Sequence, residues 1–249
     1  MQRDAGARAS SAVLGRHSAP QMPEILTKYY EAMAGTLGPM HWWPADSAFE
    51  VIVGAILTQN TAWTNVKIAL ANLRREKLFS PQAIEKVSEA KLARLIRSSG
   101  YFRQKARKLK EFTRFLRREY GGSLGKMISA ETAELRVKLL DVHGIGPETA
   151  DSILLYACRH PVFVVDAYTK RILSRHGLAA ANASYEDVQR LFTENLPADT
   201  QLFNEYHALI VNVAKKWCRK SEPLCNECPL GGLLPPSKLA DAGTAKLST

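Results

Sequence analysis

From Phe49 to Cys218 the apolar residues of this chain recur at the three-to-four spacing of a helix, and almost none recur at the spacing of a strand. That pattern restricts the fold to packed helices. Phe49, Val53, Ile56 and Leu57 form one stripe, with Ser47 and Glu50 placed before it as a capping pair. Ser80-Pro81 and Ser88 read as two further helix starts, the second ahead of Leu92, Leu95 and Ile96. Ser99-Gly100 breaks the pattern. A helix over about 103–120 follows, with Ala106, Leu109, Phe112 and Leu116 inward, and Gly121-Gly122 ends it. Further helices are expected over about 130–141, 147–159, 167–176, 184–195 and 201–218. Val162-Phe163-Val164-Val165 is the one strand-like run, too short and isolated to build a sheet. The expected class is all-α, with nine or ten helices. Residues 1–20 and 235–249, small and polar, read as loose tails.

Charge narrows the partners. Lys and Arg number 34 against 24 Asp and Glu, a net charge of +10, and a chain this basic favours polyanions, nucleic acid first. No apolar run approaches the ~18–20 residues that span a bilayer. The start of the chain lacks the apolar stretch of a secretory signal, so the expectation is a cytoplasmic, nucleoid-associated monomer with no membrane contact. Three of the four cysteines crowd at Cys218, Cys225 and Cys228, which in a reducing compartment favours metal ligation over disulfides; Cys158 reads as a small core residue.

Two segments could carry chemistry. At 139–150 an apolar helix end runs into Gly144-Ile145-Gly146 and then Pro147, which starts a new helix. Glycines permit a tight hairpin, and its amides ahead of a helix N-terminus suit a phosphate. At 164–172 two valines deliver Asp166 to the start of a helix that then turns basic. There the helix dipole favours an ionised carboxylate, although an ordinary N-cap reads the same way. Between 103 and 118, eight of sixteen residues are basic, a run open to two readings, a solvated face or a surface turned to phosphates. His207, on an apolar helix, reads as core.

In order along the chain, these motifs resemble the helix-hairpin-helix DNA glycosylases related to endonuclease III. Asp166 lies eighteen positions after Glu148, the spacing at which that family carries its catalytic aspartate behind the hairpin. Phe49 to Ala62 resembles the family's first core helix and wedge loop, and Ser99 to Ala106 its glycine-aromatic turn. The resemblance implies a two-lobed helical fold that binds duplex DNA holding a damaged base. A helical barrel domain would span 46–157, residues 21–45 plus 158–234 would form the second, and the cleft would lie between them. Asp166 would stabilise the sugar cation as the base leaves. Gln59 or Asn60 would fill the gap left by the flipped base. His143, Gly144, Ile145, Gly146, Thr149 and Lys170 would meet DNA.

Strand-cutting relatives carry a lysine where this chain has Glu148, so the resemblance implies hydrolysis without a Schiff base. Trp42-Trp43-Pro44 and Trp63 resemble the 3-methyladenine DNA glycosylase III branch. They imply, with Glu148, a base pocket for an alkylated purine. The spacing Cys218-x6-Cys225-x2-Cys228 resembles the iron–sulfur loop of endonuclease III, but the fourth ligand falls on Leu234. A [4Fe-4S] cluster calls for four thiolates, so a cluster, a zinc ion and no metal all stay open here. Two rival functions remain at this point: a pyrimidine-damage or mismatch glycosylase, and a non-catalytic DNA-binding module.

Overall fold

The computed structural model describes residues 21–43 and 45–235. Apart from Pro235, both expected tails lie outside the described residues, as does the pocket residue Pro44. Twelve α-helices are formed among the described residues: α1 (Met22–Leu37), α2 (Ala48–Thr58), α3 (Trp63–Arg75), α4 (Pro81–Lys86), α5 (Glu89–Leu95), α6 (Phe102–Tyr120), α7 (Leu124–Ile128), α8 (Thr132–Leu140), α9 (Pro147–Ser152), α10 (Ala167–Arg175), α11 (Tyr185–Thr193) and α12 (Thr200–Lys216). This exceeds the nine or ten expected. The sequence pattern leaves α1, α3 and α7 unmarked, yet Val66, Ala69, Leu70 and Leu73 of α3 are buried at helical spacing.

The cap residues act as their identities dictate. Ser47, Ser80 and Ser88 each accept a hydrogen bond from the amide three residues on, at 3.2, 3.2 and 3.3 Å. The Glu50 carboxylate accepts from the amide of Asp46, one residue before the cap. α6 stops at Gly121, where the amides of Gly121 and Gly122 return to the carbonyls of Arg117 and Leu116.

α2 is buried over its whole middle, Phe49 to Leu57, and packs against α3, α6, α9 and the turn after α9. A second group gathers around α12, which packs against α1 and α10. Two features join the groups. Helix α9 does not run on to 159 as expected; Ile153–Ala157 form a wider π turn, closed by Cys158 N–H to Ile153 O at 3.0 Å, that touches both α2 and α12. Asp151, fully buried on α9, takes Arg136 of α8 bidentately at 2.7 and 3.0 Å and Gln189 of α11 at 2.8 Å.

Val162–Val165 is buried but forms no strand. Side chains satisfy its backbone in place of a partner strand: Gln189 donates to Phe163 O at 2.7 Å, and Val165 N–H donates to the Tyr185 hydroxyl at 3.3 Å.

The basic run on α6 resolves into separate jobs. Lys105, 2% exposed, donates to Leu57 O, Thr61 Oγ1 and Ser99 O, closing the C-terminus of α2 and tying its following loop to the 97–99 turn. Lys110 serves the carbonyls of Glu85 and Val87 at the end of α4 in the same way. Arg107, Arg114, Arg117 and Arg118 pair with Glu89, Glu111, Glu85 and Glu119. Two lysines of the run are thus helix-closing groups, while the four arginines stay exposed in surface ion pairs.

Candidate active site

A cleft of about 970 Å³ opens where the hairpin, the loop after α2, the start of α10 and α12 converge. One wall is aromatic. Trp42 and Trp43, joined by a cis peptide bond, and Trp63 at the start of α3 line it half-buried. The Trp43 ring lies 5.0 Å from that of Trp63, edge to face, and 5.3 Å from Tyr156. Gly54 makes room for this wall: a Cβ there would stand 3.0 Å from Trp43 Cζ2. The sequence shows Gly54 only as a break in an apolar run; its purpose depends on a ring eleven residues away.

The opposite wall is polar. Asp166 is the N-cap of α10, and its Oδ1 accepts from Thr169 N–H at 2.7 Å and Thr169 Oγ1 at 3.0 Å. Its Oδ2 lies 3.5 Å from Nε2 of His207. The two oxygens of Asp166 are thus divided, one serving the cap and the other facing His207. Burial opposes ionisation of Asp166, but His207 and the two Thr169 donors outweigh it and hold the carboxyl below the usual aspartate value. Glu148, in the same cleft, moves the other way. It meets the water of the cleft but has protein on several sides, and that partial desolvation, with the charge of Asp166 next, pushes its carboxyl up. Two carboxylates driven apart in this way mark a site prepared for charge.

The hairpin forms the floor. Gly144 has φ +85°, and a Cβ there would collide with the Lys108 stem at 2.6 Å. Gln59 donates to Gly144 O at 3.1 Å and Thr149 Oγ1 at 2.9 Å, while Lys108 donates to Gln59 Oε1 at 2.5 Å. The Gln59 side chain is thereby spent on the hairpin. Its neighbour Asn60, exposed and at φ +51°, is the freer of the two wedge candidates.

Trp42, Trp43, Trp63, Gln59, Asn60, Gly144, Gly146, Glu148, Thr149 and Asp166 all line the one cleft. Three expected DNA contacts do not line it. Ile145 buries its side chain and gives its amide to Val142 O, so it plugs the hairpin from within. Lys170 donates to Ala183 O at 2.9 Å and anchors the loop after α10. His143 is exposed. His207, Tyr156, Lys108 and Lys215 enter the cleft without a motif to announce them, and His207 is buried as a core histidine would be. Tyr101 stands 66% exposed beside the 59–61 loop.

Cys218, Cys225 and Cys228 line a cavity of about 20 Å³, with Arg175, His176, Leu230 and Leu234 among its other wall residues. Arg175 Nη1 lies 3.2 Å from Cys218 Sγ. Three thiols do not supply the four thiolates of a [4Fe-4S] cluster, the one histidine in the wall, His176, is paired through Nδ1 with the Tyr29 hydroxyl, and among the described residues no group of three His, Cys, Asp or Glu is arranged to hold a metal. The residues present do not fit that cluster.

Residues 53–198 match the model of the HhH-GPD superfamily base excision DNA repair proteins, more than half of the chain. The chain belongs to that superfamily. Within the HhH-GPD proteins it is 46% identical over 209 residues to a DNA repair glycosylase, so named by assignment, of Methanocaldococcus jannaschii, covering 83% of this chain and 94% of that one. It is 29% identical to endonuclease III of Thermotoga maritima over 180 residues, 72% of this chain and 79% of the relative. The structure of the Helicobacter pylori 3-methyladenine DNA glycosylase MagIII bound to 1,N6-ethenoadenine superimposes with a TM-score of 0.68 at 29% identity, over 79% of this chain and 98% of that one. A non-covalent endonuclease III–DNA complex superimposes with a TM-score of 0.74 at 22% identity, covering 88% and 98%, a likeness of fold. This HhH-GPD chain is a base excision repair DNA glycosylase by class. No described helix is long and apolar enough to cross a membrane.

Proposed function

We propose that this HhH-GPD protein hydrolyses the N-glycosidic bond of an alkylated, cationic purine flipped out of duplex DNA, without cutting the strand. The observation that carries this reading is the sharing of one cleft by three tryptophans and the Asp166 carboxylate. An alkylated purine is a cation, and an indole face attracts a cation by roughly 0.5–2 kcal/mol. Glu148 adds a carboxyl group to the same pocket, whose negative form a bound cation would favour against the burial and the Asp166 charge that oppose it. The likeness to MagIII, whose structure holds 1,N6-ethenoadenine, supports an alkylated purine; that ligand is neutral, so the preference for a cation rests on the tryptophans alone.

The chemistry follows from placement. As the C1′–N bond breaks, its electron pair leaves with the base, and a cationic base departs neutral without needing a proton. The sugar becomes an oxocarbenium-like cation, which the ionised Asp166 stabilises. Water adds to C1′, and Asp166 Oδ2, the oxygen Thr169 does not occupy, accepts its proton. Glu148 offers no amine, so no Schiff base forms at its position. The two-domain division at 46–157 and 21–45 plus 158–234 belongs to this proposal, and the helix grouping around α2 and α12 supports it.

A panel of duplexes bearing 3-methyladenine, thymine glycol or a mismatched thymine, assayed with and without hot alkali, tests the proposal. Release of 3-methyladenine with strand scission only after alkali is expected. A preference for thymine glycol replaces it with an endonuclease III-like specificity. Borohydride trapping is expected to give no covalent protein–DNA band; a strong band would place the nucleophile on a cleft lysine, Lys108 or Lys215.

A further inference from the structure

We propose that His207 and Tyr156 form a positioning pair that orients and holds ionised the Asp166 carboxylate, an inference that rests on Asp166 being the group that acts on the sugar. His207 is 6% exposed, and its Nε2 has no hydrogen-bond partner at ordinary distance among the described residues. A buried polar nitrogen left unpaired costs about 1–3 kcal/mol, so an orphan at this depth needs a reason. The nearest acidic oxygen is Asp166 Oδ2, at 3.5 Å. The other ring nitrogen, Nδ1, is 2.5 Å from the Tyr156 hydroxyl.

Those two contacts select a tautomer. The Tyr156 hydroxyl has a proton to donate, and when Nδ1 accepts it the ring's own hydrogen sits on Nε2, facing Asp166. The chain Tyr156 O–H to His207 to Asp166 then runs in one direction. The π turn supplies Tyr156 and α12 supplies His207, so the device assembles where the two helix groups meet. Asp166 Oδ1 is already filled by Thr169, and His207 therefore bears on the oxygen left for water and sugar.

The other groups bearing on Asp166 do not substitute for it. Glu148 from α9 repels the negative form, and Tyr156 alone reaches only the histidine. Thr169 of α10 serves the other oxygen. Lys215 from α12 attracts it, but its own charge is disfavoured by burial.

The test uses the full chain in single-turnover excision of 3-methyladenine from a duplex, followed from about pH 4 to 8, where the wild type is expected to show no acid limb, with the non-enzymatic rate subtracted, beside lesion-duplex affinity and Tm. H207L is expected to slow excision by about tenfold or more, less than loss of a group that meets the transition state itself. Its acid limb is expected to move to higher pH, because the carboxyl loses a donor that lowers its pKa. H207Q, whose amide can reach the same oxygen, is expected to recover much of both. Y156F is nearly isosteric and expected to move the limb the same way, by less, with affinity within about twofold.

An unmoved acid limb in H207L, or in Y156F should H207L not fold, overturns the proposal. So does equal loss in H207L and H207Q with the limb unmoved, because His207 then only fills space. D166N separates the two levels. If D166N keeps its rate, the assignment of Asp166 fails; if D166N is dead and the histidine variants are normal, only the pair fails.

Discussion

Asp166 sits among donors, whereas Trp43 sits among rings. The polar wall of the cleft has its acceptors assigned: one oxygen of Asp166 to Thr169, the other facing His207. The aromatic wall is held by shape, with Trp43 packed on Trp63, Tyr156 and the bare backbone of Gly54, and with the buried Trp42 Nε1 left without a partner among the described residues. Directional bonds fix an atom to a few tenths of an ångström, which a reacting oxygen needs. Ring packing tolerates small adjustment, which suits a surface that sorts bases. The difference predicts that the polar wall governs rate and the aromatic wall governs choice.

The largest effect expected is on rate. Asp166→Asn removes the charge proposed to meet the sugar cation and should lower single-turnover excision by about 10²–10⁴-fold for every substrate. Affinity for lesion duplex should stay within a few-fold, as measured by titration. Next comes Trp63→Ala, expected to lower 3-methyladenine excision about tenfold, the weight of one cation–π contact, while affinity for undamaged DNA barely moves. Tm must be followed beside it, since cutting a well-packed tryptophan to alanine costs ~3–5 kcal/mol. Gly54→Leu reaches the same wall from behind. Its side chain would meet Trp43, and a several-fold loss of 3-methyladenine preference is expected, with a stability cost of about 1–3 kcal/mol from overpacking. The smallest effect is on strand cutting. Glu148→Lys should yield at most a weak borohydride-trapped band, because a lysine added there lacks a pocket shaped to lower its pKa.

The two walls were unequally visible from sequence. The aromatic wall and Asp166 lie in short segments, Trp42-Trp43, Trp63 and Val165-Asp166, whose neighbours along the chain reveal them. Serine caps are visible for the same reason, since each acts on an amide three residues away. His207 and Tyr156 are 51 residues apart, and their pairing exists only because a π turn meets α12. An apolar helix carrying one histidine looks the same whether that histidine is packing or aimed at a carboxylate. The α6 run misleads in the opposite way. Its repeat of lysine and arginine suggests one surface, but Lys105 and Lys110 are helix-closing groups that only tertiary contact distinguishes from their exposed neighbours. Ile145 and Lys170 belong to the hairpin and cap motifs by position, yet one is needed as core and the other as a loop anchor.

The division of labour between the walls is tested most directly by measuring wild type, Asp166→Asn and Trp63→Ala side by side on two duplexes of similar lesion size. One carries the cationic 3-methyladenine and the other the neutral 1,N6-ethenoadenine. Asp166→Asn should lower both single-turnover rates by the same factor, leaving their ratio unchanged. Trp63→Ala should lower the 3-methyladenine rate more and collapse the ratio by up to about tenfold, the share carried by the cation–π contact. If both variants scale the two substrates alike, or if Asp166→Asn alters the ratio and Trp63→Ala does not, the aromatic wall does not choose and the account is contradicted.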